Sequence, residues 1–202
     1  MTRFEDIKAF AFDVDGVFTD GLVLAMPDGD LLRQFNSKDC YAVRTAVNNG
    51  YPCAFITGGV SQSILHRARS LGVGDEHLYM LSKEKRVDFL HFCKRVGLEP
   101  AQVAFVGDDI PDIPAIEAAG LGVCPADAVA EVRSAADLVS QFNGGRGCVR
   151  DLVERVLKAQ GAWKFDPTDP WKGGHPDAIT RFAENTGRGY KMPGQARHDG
   201  RG

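Results

Sequence analysis

The chain predicts an α/β fold, a Rossmann-like parallel sheet with helices on both faces. Three observations point there. Short apolar runs, such as residues 7–12 and 103–106, stop abruptly at carboxylates and glycines, as buried strands of a parallel sheet do. Stretches with apolar residues at helical spacing separate those runs. The two kinds alternate through most of the chain, and that alternation selects parallel pairing with crossover helices.

Composition narrows the class. At 202 residues the natural reading is one compact domain with a substantial core. A net charge of −3 gives no electrostatic case for nucleic acid or an acidic membrane surface. Cys40, Cys53, Cys93, Cys124 and Cys148 are odd in number, widely spaced and mostly inside apolar runs. They read as small core residues of a reducing compartment, not as a disulfide framework or zinc site. The start lacks an apolar signal segment and no run approaches a membrane span, so the expected location is the cytoplasm.

The first strand, residues 7–12, runs into Asp13-Val14-Asp15-Gly16. Ligands of such sheets sit beyond the carboxyl ends of the strands. Residues two apart in extended backbone share a side, so Asp13 and Asp15 can face one site. The plainer reading is a turn, which Asp and Gly favour. Residues 22–26 and 31–36 flank Pro27-Asp28-Gly29-Asp30 and predict a hairpin at about 21–36, either a solvent-exposed decoration or a flap beside the site.

Ser37 is positioned to cap a helix with Val43, Ala46 and Val47 on one face, ended by Gly50. A second buried strand, residues 52–56, ends in Thr57-Gly58-Gly59, and a helix follows from about Ser61 with Ile64, Leu65, Ala68 and Leu71 inward. A strand entering a hydroxyl residue, glycines and a helix N-terminus makes a plausible phosphate cradle, although such junctions are common in this fold class. Residues 77–80 predict a short strand. The helix after it, about residues 82–96, is expected to turn Val87, Leu90, Cys93 and Val96 inward. Its first turn carries Lys83 and Lys85, which oppose the helix dipole; a nearby anion would remove the conflict.

The strand at 103–106 runs into Gly107-Asp108-Asp109-Ile110-Pro111-Asp112. Three acids in five positions repel one another unless solvated or neutralised by a cation, and oxygen-only ligands beside a phosphate suit Mg²⁺. Pro114 starts a helix ending at Gly120, and short strands at 121–124 and 136–139 bracket a helix from about Asp127. Gly144-Gly145-Arg146-Gly147 precedes a helix with Val149, Leu152, Val153, Val156 and Leu157 at helical spacing. That loop is either a connector or a means of presenting Arg146 to an anion or a neighbouring subunit. From Trp163 onward the composition turns to Gly, Pro and charge, which predicts a main domain over 1–163 and an extended or disordered tail over 164–202.

The strand ends would therefore gather Asp13, Asp15, Thr57, Lys85 and Asp108. In order along the chain, Asp13-Val14-Asp15-Gly16-Val17-Phe18-Thr19-Asp20-Gly21, Thr57, Lys85 and Gly107–Asp112 resemble the four motifs of the haloacid dehalogenase superfamily. The hairpin, Phe35-Asn36-Ser37-Lys38-Asp39, Gly144-Gly145-Arg146-Gly147 and Leu157-Lys158-Ala159-Gln160-Gly161 are similar to its capless phosphatases of 2-keto-3-deoxy sugar acid phosphates. Gly59 departs from the arginine that many members carry there.

The resemblance covers about residues 5–163 and leaves no room for a large cap domain. It implies a Mg²⁺-dependent phosphomonoesterase with Asp13 as nucleophile and Asp15 as acid/base. Mg²⁺ would be held by Asp13, Asp108 and the Asp15 carbonyl, with Asp109 and Asp112 supporting that shell. Thr57, Gly58 and Lys85 would hold phosphate, with Lys85 preferred over Lys83 for its spacing to Phe89. Arg67 and Arg146 are the candidates for a substrate carboxylate. The implied substrate is 3-deoxy-D-manno-octulosonate 8-phosphate, in lipopolysaccharide precursor synthesis, and the implied assembly is a homotetramer. The alternatives are a phosphatase of a nine-carbon sialic-type acid 9-phosphate and a non-catalytic binding protein on the same fold. A phosphotransferase or mutase would need a cap to exclude water.

Overall fold

A computed structural model describes residues 4–27, 29–164 and 168; the expected tail over 164–202, apart from residues 164 and 168, lies outside the described residues. Strand β1 (Ala9–Phe12) is central and buried along its whole length. On one side of it pair β4 (Cys53–Ile56) and then β5 (Leu78–Tyr79), and on the other β6 (Val103–Val106), β7 (Leu121–Cys124) and β8 (Leu138–Val139). All five pairings are parallel. The chain leaves β1 toward β4 and β5, then returns to β6, so the strand order reverses at β1. Ligands of open α/β sheets bind beyond such a reversal point.

Strand parity divides the core in two. Phe10 and Phe12 join one cluster, with Phe18, Phe55 and the helices α1 (Ser37–Asn48) and α6 (Cys148–Ala159). Ala9 and Ala11 join the other, with Phe89 and Phe92 of α3 (Lys85–Val96), Ile116 of α4 (Ile113–Ile116) and Val132 of α5 (Ala130–Ala135). The alternation is what a strand covered on both faces requires. Helix α2 (Gln62–Ser70) adds Ile64 and Ala68 to the first cluster.

Several local expectations change. Asn36, not Ser37, caps α1, its side chain accepting from the Lys38 amide at 2.9 Å. Helix α3 begins only at Lys85 and turns Phe89, Phe92 and Cys93 inward, while Val87 and Leu90 are exposed. Two apolar stripes compete on that helix, and burying the two phenylalanines removes more apolar area from water. Helix α5 starts at Ala130; Asp127, the expected start, instead accepts from the Gly144 amide at 2.9 Å.

The hairpin reduces to β2 (Leu24–Ala25) and β3 (Leu31–Leu32), paired Leu24 to Leu32 and Ala25 to Leu31. Phe35 is not part of its free surface, because it packs on Phe18 with ring centroids 6.1 Å apart. Among the described residues this hairpin is all that stands between β1 and α1, and no large cap domain is inserted.

Candidate active site

Beyond Phe12 the β1 ladder continues for one bond, the Asp13 amide donating to the Val106 carbonyl at 2.9 Å. Asp13 keeps the parity of Ala9 and Ala11, which lie on the α3 face. There it meets Lys85, the first residue of α3, with Nζ 3.0 Å from Asp13 Oδ1 and 2.6 Å from Asp112 Oδ1. Lys85 is only 7% exposed, whereas Lys83 is exposed. The two expected first-turn lysines thus separate, and Lys85 is the one at the strand ends. Burial works against its charge, but Asp13 and Asp112 outweigh that and hold the ammonium above lysine's ordinary value.

Asp112 is fully buried and has both oxygens committed. Oδ1 accepts from Lys85, and Oδ2 accepts from the amides of Asp108 and Asp109 at 3.0 and 3.2 Å. It shapes the loop that presents Asp108. Asp109 is exposed and caps the short turn Ile110–Asp112, accepting from the Ile110 amide at 2.8 Å. On the other flank Thr57 is buried, its Oγ1 accepting from the Gly59 amide at 3.1 Å, while Gly58 is exposed.

After Asp13 the chain turns, with the Phe18 amide donating to Val14 at 2.9 Å, so strand parity no longer governs Asp15. Asp15 meets a residue that local sequence does not single out, Arg33. Its Nε and Nη2 donate to Asp15 Oδ1 and Oδ2 at 2.7 and 2.9 Å, and Nη1 donates to the Leu31 carbonyl at 2.8 Å. The signal that could have found it is the hairpin itself, whose returning strand carries a cation back toward the carboxylates it left. Asp30 further ties the hairpin down by accepting from Ser61 Oγ at 3.1 Å.

The two arginines expected at a substrate carboxylate have other contacts. Arg67 is half-buried, with Nε 3.2 Å from Cys40 Sγ. Arg146 is largely exposed and lies 3.5 Å from Asp20. Its glycine loop is more than a connector: the Gly145 amide donates to Val17 at 2.9 Å and its carbonyl accepts from Asn36 at 2.9 Å. The loop braces the turn that carries Asp15.

The donor set fits a hard divalent cation. Oxygens of Asp13, Asp108 and Asp112 lie within 4.8 Å of one another. When ionised, three carboxylates face one ammonium, leaving two negative charges that a single divalent ion would balance. Without that ion, burial first and the charge of Asp112 second push Asp13 up to about 8 and Asp108 up to about 7. The Lys85 contact lacks hydrogen-bond geometry at Asp13 Oδ1, which has no hydrogen-bond partner although it is buried. Gly16 completes the fit. At φ +79° it lets the backbone pass so close that a Cβ there would stand 1.9 Å from Asp108 Oδ2.

Comparison with known proteins agrees with this geometry. The family model of haloacid dehalogenase-like hydrolases matches residues 39–120, a span that includes Thr57, Lys85 and Asp108. The 3-deoxy-D-manno-octulosonate 8-phosphate phosphatase of Salmonella typhi is 38% identical over 161 residues, 80% of this chain and 85% of that protein. The crystal structure of the Yersinia pestis phosphatase of that name is 35% identical with a TM-score of 0.75, covering 78% of this chain and 84% of that one. The Moraxella catarrhalis phosphatase, solved with a magnesium ion, a phosphate ion and a KDO molecule, is 32% identical with a TM-score of 0.75. That match covers 78% of this chain and 90% of that one. A capless sheet, a carboxylate cluster with its buried lysine and these likenesses agree: the chain belongs to the 3-deoxy-D-manno-octulosonate 8-phosphate phosphatase family of haloacid dehalogenase-like hydrolases.

Proposed function

We propose that the chain is a Mg²⁺-dependent phosphatase of 3-deoxy-D-manno-octulosonate 8-phosphate, acting through an aspartyl-phosphate, in the supply of lipopolysaccharide precursors. The observation that carries this reading is Asp13 Oδ1, a buried carboxylate oxygen without a hydrogen bond, 3.0 Å from Lys85 Nζ, on a residue whose carboxylate lies within 4.8 Å of that of Asp108. The family's named substrate and the Moraxella complex support the choice of ligand.

In this reading Asp13 attacks phosphorus and the bond to the sugar oxygen breaks. Asp15 gives that oxygen its proton, then takes a proton from the water that hydrolyses the aspartyl-phosphate; such transfer contributes on the order of 10²–10⁴-fold. Lys85 and Thr57 hold the phosphoryl oxygens, whose charge persists through the transition state, with the amide of Gly58, the next residue after Thr57, as a further donor to them. Asp112 keeps Lys85 aimed, and Asp109 caps the loop that carries Asp108. Asp13, Asp108 and the Asp15 carbonyl would hold Mg²⁺, which when bound offsets repulsion between the attacking carboxylate and the phosphate dianion.

Arg67 and Arg146 remain the proposed contacts for the sugar's carboxylate, Arg146 across a subunit boundary. The proposal includes a homotetramer built on the exposed hairpin residues Leu22, Val23, Leu24 and Leu32. It includes a cytoplasmic location, in keeping with five free cysteines; among the described residues no helix is long and apolar enough to cross a membrane.

The test is a phosphate-release screen over 2-keto sugar acid phosphates, with and without Mg²⁺. Fastest release from the octulosonate 8-phosphate, lost without Mg²⁺, is the expected result. Faster release from a nine-carbon acid 9-phosphate would move the substrate while keeping the chemistry. Silence on every phosphate would favour a binding protein.

A further inference from the structure

Arg33 is placed where the proposed chemistry leaves a need unmet. Asp15 lies within a tight turn, outside the sheet ladder, and is about one-third exposed. A carboxylate so placed would rotate freely, yet a group that gives and then takes a proton must keep its oxygens aimed. Arg33 removes that freedom: two guanidinium nitrogens hold the two carboxylate oxygens side by side, the planar fork that lysine cannot provide.

The Arg33 side chain is 1% exposed and its remaining terminal nitrogen is tied to Leu31. Its position is therefore set by the hairpin. The Asp15 hydrogen bonds raise its already high basicity against the cost of burial, with Asp30 and Asp13 adding to the pull.

Gly59 supplies the room. A Cβ there would stand 2.7 Å from Arg33 Nη2 and 3.4 Å from Asp15 Oδ2. The absence of a side chain at Gly59 lets the guanidinium lie over the loop that carries Thr57. An ionised carboxylate has about four lone-pair sites, so two remain to face a substrate oxygen or a water while the fork holds the other two.

We infer that Arg33 is the positioning residue for Asp15, and that the hairpin, with Gly59 making space beneath it, aims the proton-transferring carboxylate at the leaving group. This deepens the proposed function and rests on its assignment of Asp15 as acid/base.

The test turns on the leaving group. p-Nitrophenolate leaves without a proton, whereas phenolate and the sugar alkoxide need one. The full-length Mg²⁺-loaded enzyme and its Arg33→Met, Arg33→Lys, Gly59→Ala and Asp15→Asn variants are assayed on p-nitrophenyl phosphate, phenyl phosphate and 3-deoxy-D-manno-octulosonate 8-phosphate. For Arg33→Met the expected result, read in kcat/KM because that ratio reports formation of the aspartyl-phosphate and not its leaving-group-independent hydrolysis, is a loss of about 10–100-fold on the last two and under about 3-fold on p-nitrophenyl phosphate. Arg33→Lys and Gly59→Ala should show the same pattern more weakly, and they keep the test available if Arg33→Met does not fold. The double variant Arg33→Met/Asp15→Asn should lose little beyond Asp15→Asn alone.

Equal losses of kcat/KM on all three substrates, or no loss on any, would overturn the inference. If Asp15→Asn discriminates between leaving groups and no Arg33 variant does, the positioning role fails while the Asp15 assignment stands. If Asp15→Asn itself shows no discrimination, the assignment fails and the inference falls with it.

Discussion

Asp13 and Asp15 are two residues apart, yet the fold gives them opposite surroundings. Asp13 stands at the end of the sheet, nearly sealed, with an ammonium on one side and two carboxylates within reach. Asp15 stands on a turn, partly open, held by one guanidinium from the hairpin. The first environment concentrates negative charge and needs a cation; the second neutralises its carboxylate within the chain. In the proposed mechanism, that difference is how one short loop holds a nucleophile and a proton carrier without confusing them. The sheet and α3 set the first, and the hairpin sets the second.

The largest effect should come from breaking the buried side. Asp13→Asn keeps the shape and removes the carboxylate proposed to attack, so turnover should fall by on the order of 10³-fold or more with far-UV circular dichroism unchanged. A variant that kept a tenth of wild-type kcat would sink the nucleophile assignment. Chelation comes next. With EDTA in excess activity should vanish and return on adding Mg²⁺, and Asp108→Ala should mimic the chelated enzyme. Full turnover in chelator would remove the cation from the argument.

Gly16→Ala sharpens the same comparison from the backbone. A Cβ at this position would overlap the Asp108 carboxylate, and φ +79° strains any side chain there. Mg²⁺ affinity, read by titration calorimetry, should drop on the order of 10–100-fold, while phosphate release recovers in part at saturating Mg²⁺. Unchanged affinity would mean that Asp108 does not bind the ion.

The sequence disclosed the buried side far better than the open one. Strands β1, β4, β6 and β7 are four-residue, mainly apolar runs that meet Asp13, Thr57, Gly107-Asp108 and Pro125, so their junctions were legible from local pattern. Lys83 and Lys85 were both legible as cations in a first helical turn, and the burial of Lys85 alone at the strand ends follows from the helix starting at Lys85 and not at residue 82. The inward face of α3 was misread because two apolar stripes overlap on it and only the sheet decides between them. Arg33 was not legible. Its partner lies 18 residues away across a hairpin whose strands are only two residues long, and no periodicity marks such a pairing. Asp127 was hidden likewise, since its bond to the Gly144 amide spans 17 residues and replaces the helix start that local pattern favoured.

The smallest expected effect tests whether the open side is open in solution. Leu22 and Leu24 are 74% and 63% exposed, and Val23 and Leu32 also face solvent. Four large apolar side chains on one small hairpin make a patch that monomers rarely leave bare, and a two-stranded hairpin is only marginally stable alone. Arg33 just past β3 and Asp30 in the turn tie the hairpin to its own chain, so a partner would cover the exposed leucines and not hold the arm in place. Light scattering of the dilute protein should give a mass four times that of the chain, and Leu24→Glu should lower it. Because the Arg33–Asp15 pair is internal to one chain, the dissociated variant should keep its discrimination among leaving groups and lose mainly affinity for the sugar acid, by about 10-fold, as Arg146 of a neighbour is withdrawn. A fully active wild-type monomer would return these four side chains to ordinary surface and leave the Arg33–Asp15 pair as the hairpin's contribution to the site.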